Sequence, residues 1–214
     1  LANRLSKDSD KRVLLLEAGG PDSHPWLRVP MGYGKVFYDK RVNWKYTTEP
    51  NETLDGNRIY WPRGKVMGGS SSINAMVYVR GHPKDYDHWA EDAPGWSWAD
   101  VAPIFKRMEN WLGAPNPDRG NDGPLSVRDI ASDAHPLCAN YLTAAEQAGF
   151  AFNPDYNSGQ MEGAALYQIN TKGGLRASAS RAYITPIRHR PNLKIELRAL
   201  VQRLCFEGRR VTGV

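Results

Sequence analysis

Two stretches of this chain hold residues whose types and spacing could do chemistry. The first is Leu14-Leu-Leu-Glu17-Ala18-Gly19-Gly20, where an acid ends a continuous apolar run and meets a glycine pair. An acid at the carboxyl end of the second strand of a dinucleotide fold accepts hydrogen bonds from ribose hydroxyls. The glycine fingerprint of such a fold lies about 20 residues before that acid, which here reaches just upstream of Leu1. Glu17 reads equally well as an acid that ends a buried strand. The second stretch is Trp61-Pro-Arg63-Gly64-Lys65-Val-Met67-Gly68-Gly69-Ser70-Ser71-Ser72-Ile73-Asn74. Its paired glycines allow positive φ and close backbone approach to a ligand. Successive N–H groups in such a turn form an anion-binding concavity. Ser70–Ser72 add hydroxyl donors, and Arg63 and Lys65 add positive charge. The set suits a pyrophosphate with an attached ring system. It is not a P-loop, since no Lys-Ser or Lys-Thr follows the required glycine spacing. It is not a nucleophile elbow, since Gly-x-Ser-x-Gly is absent. An isolated Gly-Gly-Ser would be a tight turn whose serines cap a helix, but the string as a whole asks for more than that.

Regular elements must position these residues. Leu1 and Leu5 sit four apart, as in the last turns of a helix packed on a sheet. After the polar break Ser6–Asp10, the apolar run ending at Glu17 predicts a strand buried on both faces, as in a parallel sheet. Together they form the later part of a βαβ unit. Residues 21–63, rich in Pro, Gly and aromatics, predict an extended connection. Gly64–Ser72 reads as a turn, and Ile73–Val79 resumes an apolar pattern. Asp100 is the expected N-cap of a helix whose face is Val101, Ile104, Phe105 and Met108. Pro136 opens a second helix, with Leu137, Tyr141 and Ala145 on one side and Gly149 as its stop. Strands are expected at Ala165–Asn170, Leu193–Leu197 and Val201–Phe206, with a helical turn over Arg181–Ile187.

Composition excludes several classes. Seven Trp, ten Tyr and five Phe in 214 residues supply a core, so the chain is not disordered throughout. No apolar run nears the roughly 20 residues that span a bilayer, and no basic-then-apolar leader opens the chain. The residues alone say only that this stretch holds no leader. The net charge of +5 is scattered rather than clustered, which argues against nucleic acid as a partner. Cys138 and Cys205 cannot make a disulfide framework or a Cys-based zinc site. His24, His82, His88, His135 and His189 lack the His-x-x-x-His spacing of a helical metal site. They read as surface or hydrogen-bonded structural residues, Asp85, Asp87 and His88 as a solvated turn, and no metal site is expected.

The string Gly64–Asn74, continued by Tyr78-Val-Arg-Gly81 and Trp89, resembles the first signature of the glucose–methanol–choline (GMC) flavin oxidoreductases. Residues 14–20 are similar to that family's ribose-binding strand end. Asn43-Trp44, Trp61–Lys65, Asn121–Val127 and Arg176–Pro186 follow in the family's order, and the nearest branch looks like the bacterial choline and alcohol dehydrogenases. The resemblance implies an α/β fold: a doubly wound, Rossmann-like FAD-binding domain with part of an antiparallel-sheet substrate domain. Residues 1–134 and 175–214 would belong to the former and 135–174 to the latter, with the chain cut at both ends. Carried over, Glu17 would bind the adenosine ribose. Met67, Gly68, Gly69, Ser71, Asn74 and Met76 would line the pyrophosphate and flavin, and the backbone of Val201 would face the adenine. Ala18, Gly19, Trp44, Arg63, Gly64, Ser70, Ala75 and Val77 complete the implied cofactor site. Some members bond the flavin covalently to a His before the signature's Asn. Ile73 stands there, so non-covalent FAD is expected. The resemblance also implies a cytoplasmic location, membrane-peripheral at most. The implied reaction oxidises a primary alcohol, choline-like or other, to an aldehyde by hydride transfer to flavin N5. The family's base, a His paired with His or Asn, would lie past Val214, so no catalytic residue is assigned within residues 1–214, which by themselves are expected to show no turnover. A non-catalytic nucleotide-binding or interaction module keeping the fold is the alternative. An NAD-dependent dehydrogenase would explain Glu17 but not residues 64–74.

Overall fold

The computed structural model describes residues Leu1–Val214. They form two compact units, Leu1–Ala75 with Gly174–Val214, and Met76–Gly173. The division expected after residue 134 thus falls inside the second unit, while the one expected after 174 lies next to the observed division. The reason is local. Glu109–Trp111 pairs in parallel with Leu125–Val127, and Arg119, between them, bonds to Asp155 and Gln168.

In the first unit, Val13–Glu17 runs parallel to Leu193–Leu197, in register from Val13↔Leu193 to Glu17↔Leu197. Parallel pairing requires a crossover between strands. Here the chain leaves at Glu17, passes through the second unit, and returns. The expected burial of both strand faces is not found. No residue of Val13–Glu17 is fully buried, and Leu14 is 55% exposed, because this strand has a single paired neighbour. The expected helix end is present as Ala2–Leu5. Asn192 fixes the turn after it, its Nδ2 donating to the carbonyls of Ser6, Asp8 and Lys11.

Residues 21–63 are more ordered than an extended connection. Short helical turns occupy Pro25–Arg28, Pro30–Gly32 and Tyr33–Val36, and Tyr46–Thr47 pairs with Tyr60–Trp61. Pro25 and Pro30 each open a turn, where a missing N–H costs nothing. Leu27 and Val36 drop from these turns into a core with Val66 and Ile73. Their nine-residue separation follows neither simple period, so the pattern was hidden. The late strand is Cys205–Glu207 rather than Val201–Phe206, in a hairpin with Arg210–Gly213. Leu200, Val201 and Leu204 are half exposed and have no face to bury. The turn expected over 181–187 is present as Ser180–Ile184 and Thr185–Ile187.

The second unit holds helices Pro83–Asp92, Trp98–Met108 and Leu137–Gln147. The first was expected to be a solvated turn. It lacks an apolar stripe, and an aromatic cluster organises it instead, with Tyr86 meeting Trp89, Trp98 and Phe105 at 5.3, 5.6 and 5.8 Å. Asp100 is not the N-cap of the second helix. Ser97 is, and the two form a reciprocal capping box with Asp100 at N3. Ser97→Ala should lower stability by about 1 kcal/mol, read by chemical denaturation, and an unchanged midpoint would show that the box contributes nothing. The third helix starts and stops as expected, with Gly149 at φ 91°, but Leu137 and Tyr141 remain 65% and 69% exposed. Residues 165–170 form no strand, and only Ile169 bridges, to Val77 and Arg128. No helix is long and apolar enough to cross a membrane.

Candidate functional site

The parallel register brings the carboxyl ends of two strands together, the place where open α/β sheets bind ligands. Glu17 ends one strand and Leu197 the other. The backbone N–H of Arg198 donates to Gly19 O and that of Ala199 to Glu17 O, both at 2.9 Å. Arg198 holds the left-handed φ of 58° to make this wrap, and exposed Val201 follows on irregular chain. Glu17 and Val201, 184 positions apart, are thereby placed at one edge of the first unit. Glu17 Oε1 accepts the Gly19 N–H at 2.7 Å, so one oxygen shapes its own turn around half-buried Ala18. A carboxylate has about four acceptor positions, which leaves capacity for a ribose hydroxyl.

The signature loop packs directly on that turn. Met67 N–H donates to Gly20 O at 2.9 Å, and Gly20 bridges to Val66. A Cβ on Gly19 would stand 2.0 Å from Lys65 O. Gly64 is equally constrained, since a Cβ there would lie 2.3 Å from the Gly69 backbone. Gly68 and Gly69 have φ of 90° and 56°, and the space above Gly69 is open for 4 Å. The loop therefore leaves the Gly69 backbone uncovered at the start of the short helical turn Gly69–Ser72, while Gly68 is closed off by Ser72 and Ser180.

The serines act differently from expectation. Ser72 is 1% exposed and donates to Met67 O at 2.8 Å. Ser71 donates to Gly68 O at 2.6 Å and accepts from Ala179 N. Both hydroxyl protons staple the loop and are not offered to a ligand. Ser70 is exposed and accepts from Gly64 N at 3.1 Å, so its proton remains available. The cations are also placed otherwise. Lys65 Nζ lies 4.5 Å from the centre of the Trp44 ring, and the Arg63 guanidinium 5.0 Å from that of Trp61. Trp44, Arg63 and Gly64 share one ladder, organised by buried Asn43, whose Oδ1 accepts from Lys45 N and Arg63 N.

Asn74 and Ala75 are exposed at the end of the first unit. Met67 is 3% exposed, so backbone rather than side chain is what it presents. Met76 and Val77 belong to the second unit. Met76 is 4% exposed at φ 65°, a conformation rare for L side chains, and its carbonyl accepts from Asn170 N. Arg176, quoted within a motif but given no role from sequence, is 4% exposed. It donates to Leu27 O, Ser71 O and Asn74 Oδ1 at 3.1, 3.2 and 2.8 Å. Burial pushes its guanidinium down to about 10.

The histidines are structural in a specific way. His24, His82 and His135 each precede a proline, and each Nδ1 accepts the backbone N–H two residues on, at 3.1–3.2 Å. That fixes the proton on Nε2. His88 pairs with Glu91 at 3.3 Å, and Asp87 accepts from Trp98 N at 2.9 Å.

Sequence reasoning also missed a buried polar network in the second unit. Glu109, 0% exposed, accepts from Arg80 and Arg119 at 2.5 Å each and from Gly120 N at 3.0 Å. Arg119 continues to Asp155 at 2.6 Å and Gln168 at 2.8 Å. These residues stand in unrelated local contexts, and only the fold joins them. Burial raises the phenols of Tyr78 and Tyr156 above the usual range. A groove of about 510 Å³ in this unit, lined by Val79, Tyr141, Tyr156 and Tyr167 among others, includes none of the expected cofactor residues.

The family model described as GMC oxidoreductase matches residues 16–214. The chain is 42% identical over its whole length to an alcohol dehydrogenase [acceptor] of Pseudomonas putida and 45% identical to an oxygen-dependent choline dehydrogenase of Rhizobium rhizogenes. It spans 39% of the length of each. Its backbone follows that of pyridoxine 4-oxidase from Mesorbium loti with a TM-score of 0.93 at 34% identity, covering 99% of this chain and 42% of that one.

Proposed function

This chain belongs to the GMC oxidoreductase family, a family of FAD flavoproteins with an α/β FAD-binding fold, and on that premise we propose that it carries FAD-binding machinery of an enzyme that oxidises a primary alcohol, choline-like or other, to an aldehyde. The observation that carries the reading is the fit between the loop and a dinucleotide. The backbone above Gly69 is open, Gly64 and Gly19 admit no side chain, and Arg176 Nη2 is a buried donor without a partner. An anionic, flat ligand matches such a surface. Bound FAD supplies the hydride acceptor.

The roles of this chain's residues follow from their positions. Glu17 accepts ribose hydroxyls on its remaining lone pairs. The Gly68–Gly69 backbone and the Ser70 hydroxyl contact the pyrophosphate and flavin, with Met67, Ser71, Asn74 and Ala75 as their neighbours in the first unit. Trp44, Arg63 and Gly64 support its flank, and Val201 offers backbone to the adenine. Attachment is non-covalent. Ile73 stands where some members carry the flavin-bonded His, and its side chain is 2% exposed within an apolar cluster. The rings of His24, His82 and His135, whose Nδ1 already accepts a backbone N–H, are poor candidates for the base, and we assign that role to no residue of 1–214.

The test is a visible absorption spectrum of the full-length protein before and after acid precipitation. Flavin absorbance moving into the supernatant is expected. Colour retained in the pellet overturns non-covalent attachment, and a folded protein without flavin overturns the whole reading.

A further inference from the structure

Five charged side chains of this chain are buried: Asp22, Arg80, Glu109, Arg119 and Arg176. Four of them sit in ion pairs. Arg176 alone has none. Its hydrogen bonds end on neutral oxygens, Leu27 O, Ser71 O and Asn74 Oδ1, and Nη2 ends on nothing. A guanidinium does not shed its proton in a protein, and a buried charge without a partner is disfavoured. The charge therefore persists against Ser71 and Asn74, in the turn that begins at the open Gly69 backbone. Arg176 also decides the Asn74 amide. A donor-only group can face only an oxygen, so Oδ1 is the inward end and Nδ2 the end turned away.

We infer that Arg176 is a positioning residue of the cofactor site, supplying fixed positive charge that complements an anionic group of the bound dinucleotide at the Ser71–Asn74 loop. The inference rests on the FAD reading above. Two parts of the cofactor share the required chemistry. The pyrophosphate is permanently anionic, and the ring gains one negative charge when it accepts hydride, which adds one proton and two electrons. Conventional clamping of Arg176 between the Leu27 and Ser71 carbonyls does not explain why no carboxylate accompanies it.

The experiment uses the full-length protein, Arg176→Gln and Arg176→Lys, with FAD as the probe. Gln keeps an amide donor for the Asn74 contact but has no charge, whereas Lys keeps the charge and loses the fork. Kd for FAD is measured by fluorescence on stripped protein, and the midpoint potential on reloaded protein. Gln should weaken binding about ten- to hundredfold or lower the potential by about 30 mV for each tenfold loss of preference for the reduced form. Lys should recover most of the effect. Weaker binding at constant potential assigns the pyrophosphate, and a lowered potential assigns the ring. Gln and Lys behaving alike in both readouts overturns the inference, since a purely structural clamp does not distinguish them. Should Gln unfold the protein, Lys carries the test. Affinity retained within about threefold supports a role for charge, and a tenfold loss overturns it. A folded wild-type protein that takes up no FAD sinks the underlying reading instead.

Discussion

Glu109→Gln should lower the stability of the full-length protein by about 3–5 kcal/mol. The carboxylate is 0% exposed. Its Oε2 accepts from Arg80 Nη2, Arg119 Nε and Gly120 N, and its Oε1 from Arg119 Nη2. Every partner is a donor. A glutamine has one acceptor end, so its NH₂ must face a guanidinium N–H or the Gly120 N–H, donor against donor. The charge balance fails as well. Arg80 and Arg119 are offset by Glu109 and Asp155 in the wild type, and only Asp155 remains in the variant. Removing one partner of a buried pair leaves an uncompensated charge, which accounts for most of the magnitude. Asp155→Asn is the internal comparison. Its side chain is 13% exposed, water can take over part of the solvation, and the loss should be smaller. Chemical denaturation reads both. A Glu109→Gln protein within about 1 kcal/mol of wild type, the worth of an ordinary hydrogen bond, would mean that water or rearrangement satisfies the two arginines.

How much of this was legible from sequence depends on whether a residue's partner is near it in the chain. The signature loop was readable because its chemistry is local: glycines, hydroxyls and turn occupy one 14-residue string. Its position beside Glu17 was expected only through family resemblance. The physical cause, the Gly20–Val66 bridge and the lack of room at Gly19, has no sequence signal of its own. The same limit explains the serines. Residue type says that Ser71 and Ser72 can donate, but not that their protons are already given to Gly68 O and Met67 O. Helix Leu137–Gln147 was found from its termini, Pro136 and Gly149, whereas Pro83–Asp92 was missed because an aromatic cluster rather than a periodic stripe holds it. Asp100 was misplaced by three residues since both Ser97 and Asp100 are good caps, and the capping box uses both. The Glu109 network was invisible. Arg80, Glu109, Arg119, Asp155 and Gln168 span 89 positions, and each alone looks like a surface residue.

Gly19→Ala should strip FAD from the full-length protein, while Gly20→Ala next to it should leave binding intact. The two glycines share a turn but not a constraint. A Cβ on Gly19 would lie 2.0 Å from Lys65 O, 2.1 Å from Lys65 C and 2.3 Å from Val66 N. These are backbone atoms of the signature loop, not the tip of a flexible side chain, so the two segments must separate by about an ångström or more. A Cβ on Gly20 would meet nothing closer than Arg198 Nη2 at 3.8 Å, an ordinary contact, and neither position needs positive φ. Separation would break the Met67 N–H to Gly20 O bond at 2.9 Å. It would also move the Glu17 carboxylate away from the open Gly69 backbone. One ligand must be held by both, so a shift of this size costs affinity even where the fold survives. Overpacking of this kind costs about 1–3 kcal/mol of stability, enough to measure without abolishing folding, whereas Gly20→Ala should stay within about 0.5 kcal/mol. The readout is flavin absorbance per mole of purified protein together with far-ultraviolet circular dichroism. Loss of flavin in the Gly19 variant with retained dichroism, and full flavin in the Gly20 variant, is the expected pair. Equal flavin content in the two variants would show that the contact between the Glu17 turn and the signature loop does not position the cofactor.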